Sequence, residues 1–289
     1  MNLFRLLPAL GKIVVLLLFT GFVLSPLTVA VFGGFKTNGE LRSNPFGLPQ
    51  RWNLEYYSAM VGDPSFWRYL GNSLFISLAT VFLTIIVAAA AAYVFAQIRF
   101  LGARMMQSYL LAGLVFPFAT AILPLFIKVR DLGLLDSYWA VILPQTAFGL
   151  SLSIMLFKTF FEQLPKELFE AAYVEGCGYV RFFWQFTLPL STPILATVGV
   201  FVFVSSWNNF LLPLVVVNSR DLFTWPLGMM QFRGEYLAEW NRTLAFISLT
   251  ILPAIVFFVA AQKLELPPKD RTCSGLRLRA DELARRLIS

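Results

Sequence analysis

Six stretches of this chain are each about 20 or more mostly apolar residues long, the length a helix needs to cross the hydrocarbon core of a bilayer. They cover residues 10–32, 70–95, 106–127, 138–157, 188–217 and 243–261. None carries Asp, Glu, Lys or Arg in its central part, and Lys12 lies near the start of the first. A soluble domain is about half apolar and a quarter charged, whereas this chain is 58% hydrophobic and 13% charged. The expected fold is therefore all-α: a polytopic membrane protein with six transmembrane helices. Trp and Tyr scatter near the ends of the apolar runs, where amphipathic rings settle at the headgroup level.

The first run has a second reading. Arg5 and Lys12 precede it, and Thr28, Val29 and Ala30 loosely resemble a signal-peptidase site. Because the apolar run continues through Val31 and Phe32, beyond a usual signal-peptide core, an uncleaved helix is the preferred reading. The loop that follows is rich in turn formers, with SNPFGLP at 43–49 and GDPS at 62–65. There is no fixed-period repeat. The natural division is one integral membrane domain over residues 1–264 and an atypical basic tail over 265–289.

Composition also excludes chemistry. His is absent, which removes the usual general base and the commonest metal ligand. Cys177 and Cys273 form no CxxC or other metal spacing, and they suggest no disulfide framework. HExxH and GxSxG are missing, no paired carboxylates lie within the runs, and GxxxxGK[ST] does not occur, so the chain carries no recognisable phosphate cradle. The net charge of +7 does not imply nucleic acid: the segment after Ala261 holds seven basic and four acidic residues, and the remaining excess suits loops facing anionic lipid. With the N-terminus inside, and the tail set apart, inner segments hold seven basic residues and outer segments nine. The positive-inside rule alone does not orient this chain.

One polar interruption stands out between the fourth and fifth runs. From Leu164 to Tyr179, Pro165 comes first, Glu167 and Glu170 follow, and Gly176 and Gly178 close the segment. Proline is tolerated at a helix start, acids favour its positive end, and glycine permits a left-handed stop, so a short helix is expected. Leu168, Ala171, Ala172 and Glu175 recur every three or four residues, giving a small, moderately apolar face suited to a groove in another protein. A connector that merely joins two spans, or lies in the lipid interface, is the alternative.

The sequence EAAYVEGCGYVRFFWQFTLPLSTP, beginning at Glu170, resembles the EAA signature of permease subunits in bacterial ABC importers. Glu170, Ala171, Ala172, Gly176, Leu188 and Pro189 match at the signature's spacing, while Glu175 replaces its usual Asp and Phe186 its common Ile. KTNGELRSNPFGLPQRWNLEYY, NSLFIS at Asn72, SSWNNFLLPL at Ser205 and TWPLGMMQFRGEY at Thr224 resemble the carbohydrate-uptake, maltose-type branch. The likeness runs from the first span to Lys263. Beyond it the tail departs from the family, consistent either with a basic segment on anionic lipid or with an altered reading frame.

The resemblance implies a non-catalytic transport subunit of the bacterial inner membrane, with both termini cytoplasmic. The EAA segment would be a cytoplasmic coupling helix seated in a cleft of an ATPase, with Glu170 making a charged contact and Gly176 supplying a backbone conformation or approach forbidden to a side chain. Glu170 could instead stabilise the helix dipole. Implied partners are a homologous permease subunit, two ATPase subunits that hold ATP and Mg, an extracytoplasmic sugar-binding protein, and membrane lipid. No cofactor is expected on this chain.

For cargo, Ser205, Ser206, Trp207, Asn208 and Asn209 cluster in the fifth run, and Gln145, Ser151 and Ser153 lie in the fourth. Amide and aromatic groups suit sugar hydroxyls and faces, but Ser and Asn also hold membrane helices together. Pro117, Pro144 and Pro213 are candidate kinks. A secondary transporter or channel is the rival function, although ion coupling usually leaves ionisable groups inside spans and these six have none.

Overall fold

The computed structural model describes residues 3–232 and 239–265. The basic tail, including Cys273, and part of the Thr224 motif lie outside the described residues. Every regular element described is helical. In chain order these are α1 (Leu3–Gly33), α2 (Asn38–Ser43), α3 (Glu55–Gly62), α4 (Pro64–Gln97), α5 (Ala103–Val115), α6 (Phe118–Asp131), α7 (Trp139–Phe161) and α8 (Lys166–Val174). They continue with α9 (Tyr179–Phe182), a π-helical turn (Phe183–Thr187), α10 (Leu188–Leu190), α11 (Thr192–Trp207), α12 (Leu211–Val216), α13 (Trp225–Gly228) and α14 (Trp240–Glu265).

Four helices are long and apolar enough to cross a membrane unbroken, namely α1, α4, α7 and α14, and the number reaches six if the bent pairs α5–α6 and α9–α11 each count as one crossing. Residues 11–28 of α1 are exposed along their whole length. A helix that is apolar all round and left uncovered by the described residues is suited to lipid or to another subunit. It runs unbroken through Thr28, Val29 and Ala30.

Two expected spans are not single helices. The run over 106–127 breaks at Phe116 and Pro117, where α5 and α6 meet at 104°. Pro117 has no N–H to continue the ladder, and its ring forces Phe116 into extended geometry, φ −74° and ψ 117°. The run over 188–217 begins earlier than expected, at Tyr179, and bends by 78° at Ser191, between Pro189 and Pro193. It then ends at Trp207, and Leu211–Val216 forms a separate short helix containing Pro213. By contrast α7 continues through Pro144 without interruption.

The chain divides into two compact units. The first comprises Met1–Leu70 and Trp225–Pro253. In it, Lys36 is 0% exposed, and its ammonium donates to the carbonyl oxygens of Asn44, Pro45 and Gly47 at 2.8, 3.3 and 2.6 Å. A buried cation is tolerable only when its protons are matched, and here three carbonyls of the turn-rich loop match them. Tyr57 donates its hydroxyl to the Val31 carbonyl at 2.7 Å, and burial pushes its phenol pKa up, against a smaller opposing effect of the Ser248 hydroxyl. Gly228 has no room for a side chain: a Cβ there would lie 2.5 Å from the Tyr69 ring.

The second unit comprises Gly71–Thr224 and, of the described residues that follow, 254–265. Its core gathers Ile76 of α4, Val129 of α6, Val141 and Ile142 of α7, and Leu212 and Val216 of α12. Asn72 ties this packing together. Its amide donates to the carbonyls of Asp221 and Phe223 at 2.8 and 2.9 Å, and its oxygen accepts from Tyr138 at 2.8 Å. Phe257 of α14 stacks on Phe203 of α11, with centroids 3.8 Å apart.

Candidate functional site

The polar interruption folds as the helix α8, with Pro165 at its N-cap. Its end is a Schellman motif: the N–H of Gly176 donates to the Tyr173 carbonyl at 3.0 Å and that of Cys177 to the Ala172 carbonyl at 2.9 Å. This closure needs the residue after the cap in the left-handed region, and Gly176 has φ +80°. A Cβ at Gly176 would meet nothing within 4 Å, so within this chain the glycine answers a backbone demand and not a steric one.

Of the expected small-residue face, Ala172 and Leu168 turn inward while Ala171 and Glu175 are exposed. Glu167, Glu170, Ala171 and Val174, spaced i, i+3, i+4 and i+7, are all exposed and make the outward face of α8. Val174 is 86% exposed, Tyr173 62% and the nearby Val180 73%. Sequence reasoning missed these apolar residues, although their helical spacing from Glu170 was available. Glu170 has no hydrogen-bond or ion-pair partner among the described residues. As the fifth residue of α8 it lies past the first turn, where Glu167 sits, so the dipole reading gives it little.

The inner side of α8 is anchored by rings. Phe169 packs edge-on against Phe182 at 5.1 Å and lies 5.2 Å from Tyr179, and Phe182 stacks on Phe186 at 5.1 Å. Tyr93 of α4 donates its hydroxyl to the Tyr179 carbonyl at 3.0 Å, with its ring 5.2 Å from Phe183. Leu188 and Pro189 follow the π turn. The Leu188 N–H reaches back five residues to Phe183. Proline at 189 offers no N–H and crowds the turn before it, which favours this wider winding.

The remaining polar residues separate into two groups. Gln145 and Ser153 of α7, Ser205 and Ser206 of α11, and Asn209 line one cavity of about 290 Å³, together with Thr80 of α4, Leu114 of α5 and Phe118 of α6. Trp207 and Asn208 do not line it. Trp207 is buried and stacks on Phe203 at 5.5 Å, and Asn208 is exposed, donating to the Val204 carbonyl at 3.0 Å. Ser151 faces α5, its Oγ 3.0 Å from where a Cβ on Gly113 would stand.

Gln145 is the centre of the cavity's polar wall. Its Oε1 accepts from Ser206 Oγ and, at 3.4 Å, from Thr80 Oγ1, joining α7 to α11 and α4. Its Nε2 has no hydrogen-bond partner among the described residues, although the residue is only 8% exposed. Thr80 went unnoticed in the sequence, yet Asn72, Ser73, Ser77, Thr80 and Thr84 recur at helical spacing and are all buried. Among the described residues no group of three or more His, Cys, Asp or Glu side chains is placed to hold a metal ion.

Comparison with known proteins adds the following. The profile of a family described as "Binding-protein-dependent transport system inner membrane component" matches residues 1–265. The diacetylchitobiose uptake system permease protein NgcG of Streptomyces coelicolor is 33% identical over 86% of this chain and 83% of its own. The sulfoquinovosyl glycerol transport system permease protein SmoH of Agrobacterium fabrum is 31% identical over 88% and 87%. The arabinooligosaccharides transport system permease protein AraQ of Halalkalibacterium halodurans is 33% identical over 82% and 86%. Among solved structures, a bacterial ABC transporter involved in the import of the acidic polysaccharide alginate has a chain that aligns with a TM-score of 0.78 at 21% identity, covering 91% of this chain and 98% of that one. This last likeness concerns the fold.

Proposed function

The chain belongs to the family of binding-protein-dependent transport system inner membrane components, and from that premise we propose that α8 is the lever by which partner ATPases drive its transport cycle. It is a multi-pass membrane permease subunit of an ATP-driven sugar importer, not a secondary transporter or channel. Its proposed assembly contains a homologous permease subunit, two ATPase subunits and an extracytoplasmic sugar-binding protein. ATP and its magnesium ion belong to the ATPases, and both termini of this chain lie in the cytoplasm.

The observation that carries this reading is the outward face of α8: Glu170, without a partner among the described residues, beside Ala171 and the exposed Tyr173 and Val174. Exposed apolar side chains next to an unpaired carboxylate suit a protein groove that supplies a cation. When ATP binding closes the two ATPases, α8 moves with its cleft. Phe169, Phe182 and Phe186 transmit that displacement because packed rings resist compression, and Tyr93 ties it to α4. The chain then runs through the π turn into α11, whose Ser205 and Ser206 border the cavity. Switching of access follows from rearranged helices, a rigid-element transition of the hinge and shear kind. The substrate pathway on this chain is proposed to pass Gln145, Ser205 and Asn209, while Trp207 and Asn208 support α11 from its other faces.

Gly176→Asp tests the lever. The substitution is expected to abolish ATP-driven uptake while leaving membrane insertion intact, measured as sugar uptake by proteoliposomes holding the whole assembly. Normal uptake would remove α8 from the coupling path.

A further inference from the structure

The loop between α2 and α3 turns its apolar side chains outward. Phe46 is 82% exposed, Leu48 65%, Trp52 59% and Leu54 64%. Arg51 is the only charged residue from 44 to 54, and it too is exposed. Four large apolar side chains within nine residues make a patch of the kind that marks a contact with something other than water.

The same loop turns its backbone polar groups inward. Lys36 takes the carbonyls of Asn44, Pro45 and Gly47. Asn44 Oδ1 accepts from the Gly47 N–H at 3.0 Å, and Glu40 Oε1 accepts from the Gln50 N–H at 2.6 Å. Pro45 and Pro49 have no N–H to satisfy. An irregular segment that matches its backbone groups from within while exposing apolar side chains suits a medium poorer in water than the bulk, because unmatched groups are costly there.

Two ties fix the height of this loop on α1. The Trp52 ring packs edge-on against Phe32 and Phe35, with centroids 5.8 and 5.1 Å apart, and the Tyr57 hydroxyl donates to the Val31 carbonyl. Lys12 and Phe32 are separated by about 30 Å of helix, which matches the hydrocarbon thickness of about 30 Å. With Lys12 at one boundary of the bilayer, Phe32 and the Trp52 ring against it therefore stand at the other, where tryptophan is favoured.

We propose that residues 46–54 form an interfacial anchor, seated among the lipid headgroups of the leaflet in which α1 ends. Phe46, Leu48 and Leu54 reach the acyl boundary, Trp52 lies at headgroup level and Arg51 faces anionic headgroups. The anchor fixes the depth at which α1 leaves the bilayer. Continuity with the exposed apolar surface of α1 favours a lipid surface over a docking protein. The inference needs only membrane residence, and it is independent of the side of the membrane on which α8 lies.

The test places Phe46→Cys or Leu48→Cys on a Cys177→Ser, Cys273→Ser background, in the full chain with its companion subunits freed of cysteine. Each is labelled with a nitrobenzoxadiazole fluorophore and reconstituted in nanodiscs of phosphatidylethanolamine and phosphatidylglycerol. Lipids carrying a nitroxide near the headgroup or at the acyl end, and iodide in the water, serve as quenchers. For a seat about 5–10 Å deep, both labels should lose most of their emission to the shallow nitroxide, less to the deep one and little to iodide. Emission unaffected by either lipid nitroxide overturns the proposal, as does stronger quenching from the acyl end. Strong iodide quenching that is relieved only by adding the sugar-binding protein also overturns it, and makes the patch a protein docking surface.

Discussion

At Gly176 two explanations for a glycine make different forecasts. If the left-handed φ of +80° is the whole requirement, Gly176→Asn should retain much of the coupling and Gly176→Val little, because Asn visits that region at low cost and β-branched residues do not. If the ATPase cleft approaches the backbone closely, both should fail alike. Sugar-stimulated ATP hydrolysis by the reconstituted assembly separates the two. Lys36 offers a second case. Lys36→Met removes the donor shared by the carbonyls of Asn44, Pro45 and Gly47 and should destabilise that loop by about 1–3 kcal/mol. Faster proteolysis within residues 44–50, with α8 coupling unaffected, is the expected result. Nothing in the composition singled out Lys36, because a lysine in a Pro- and Gly-rich loop ordinarily points to solvent. Gly176 was legible, since helix closure is a local event encoded within six residues.

At the scale of elements, proline placement decides more than hydropathy does. The third and fifth apolar runs pass every test of length and polarity, and still break where Pro117, and Pro189 with Pro193, remove donors from the ladder. Pro144 sits in an equally apolar run and α7 passes through it, so proline identity alone does not reveal which helix will bend. Pro117→Ala should reduce the 104° bend between α5 and α6 and lower uptake, with the distance between spin labels on the two helices reporting the change. The strut from Tyr93 to the Tyr179 carbonyl makes a finer forecast. Tyr93→Phe keeps the ring against Phe183 and loses only the hydrogen bond, worth about 1 kcal/mol. ATP hydrolysis should continue with less sugar moved per turnover, and an unchanged ratio of the two would show that the strut does not take part in coupling.

For the whole molecule, the strongest forecast concerns sidedness. If α8 lies in the cytoplasm, as proposed, a cysteine introduced at Val174, which is exposed, should react with a membrane-impermeant maleimide in inside-out vesicles and not in right-side-out ones. The reverse pattern would take the lever away from any cytoplasmic ATPase. What the sequence alone determined is what depends on sums and short spacings: membrane residence from apolar runs, a short closed helix from Pro165 to Gly178, and family membership from the pattern beginning at Glu170. The tertiary structure decided which polar side chains meet. Gln145 joins Ser206 and Thr80, 61 and 65 residues away in the chain, and leaves Trp207, one residue further on, outside the cavity. One residue along a helix turns a side chain by about 100°, and a bend re-aims everything beyond it. The facing of a polar group in an apolar run is therefore set by how helices break and pack, which no local pattern contains.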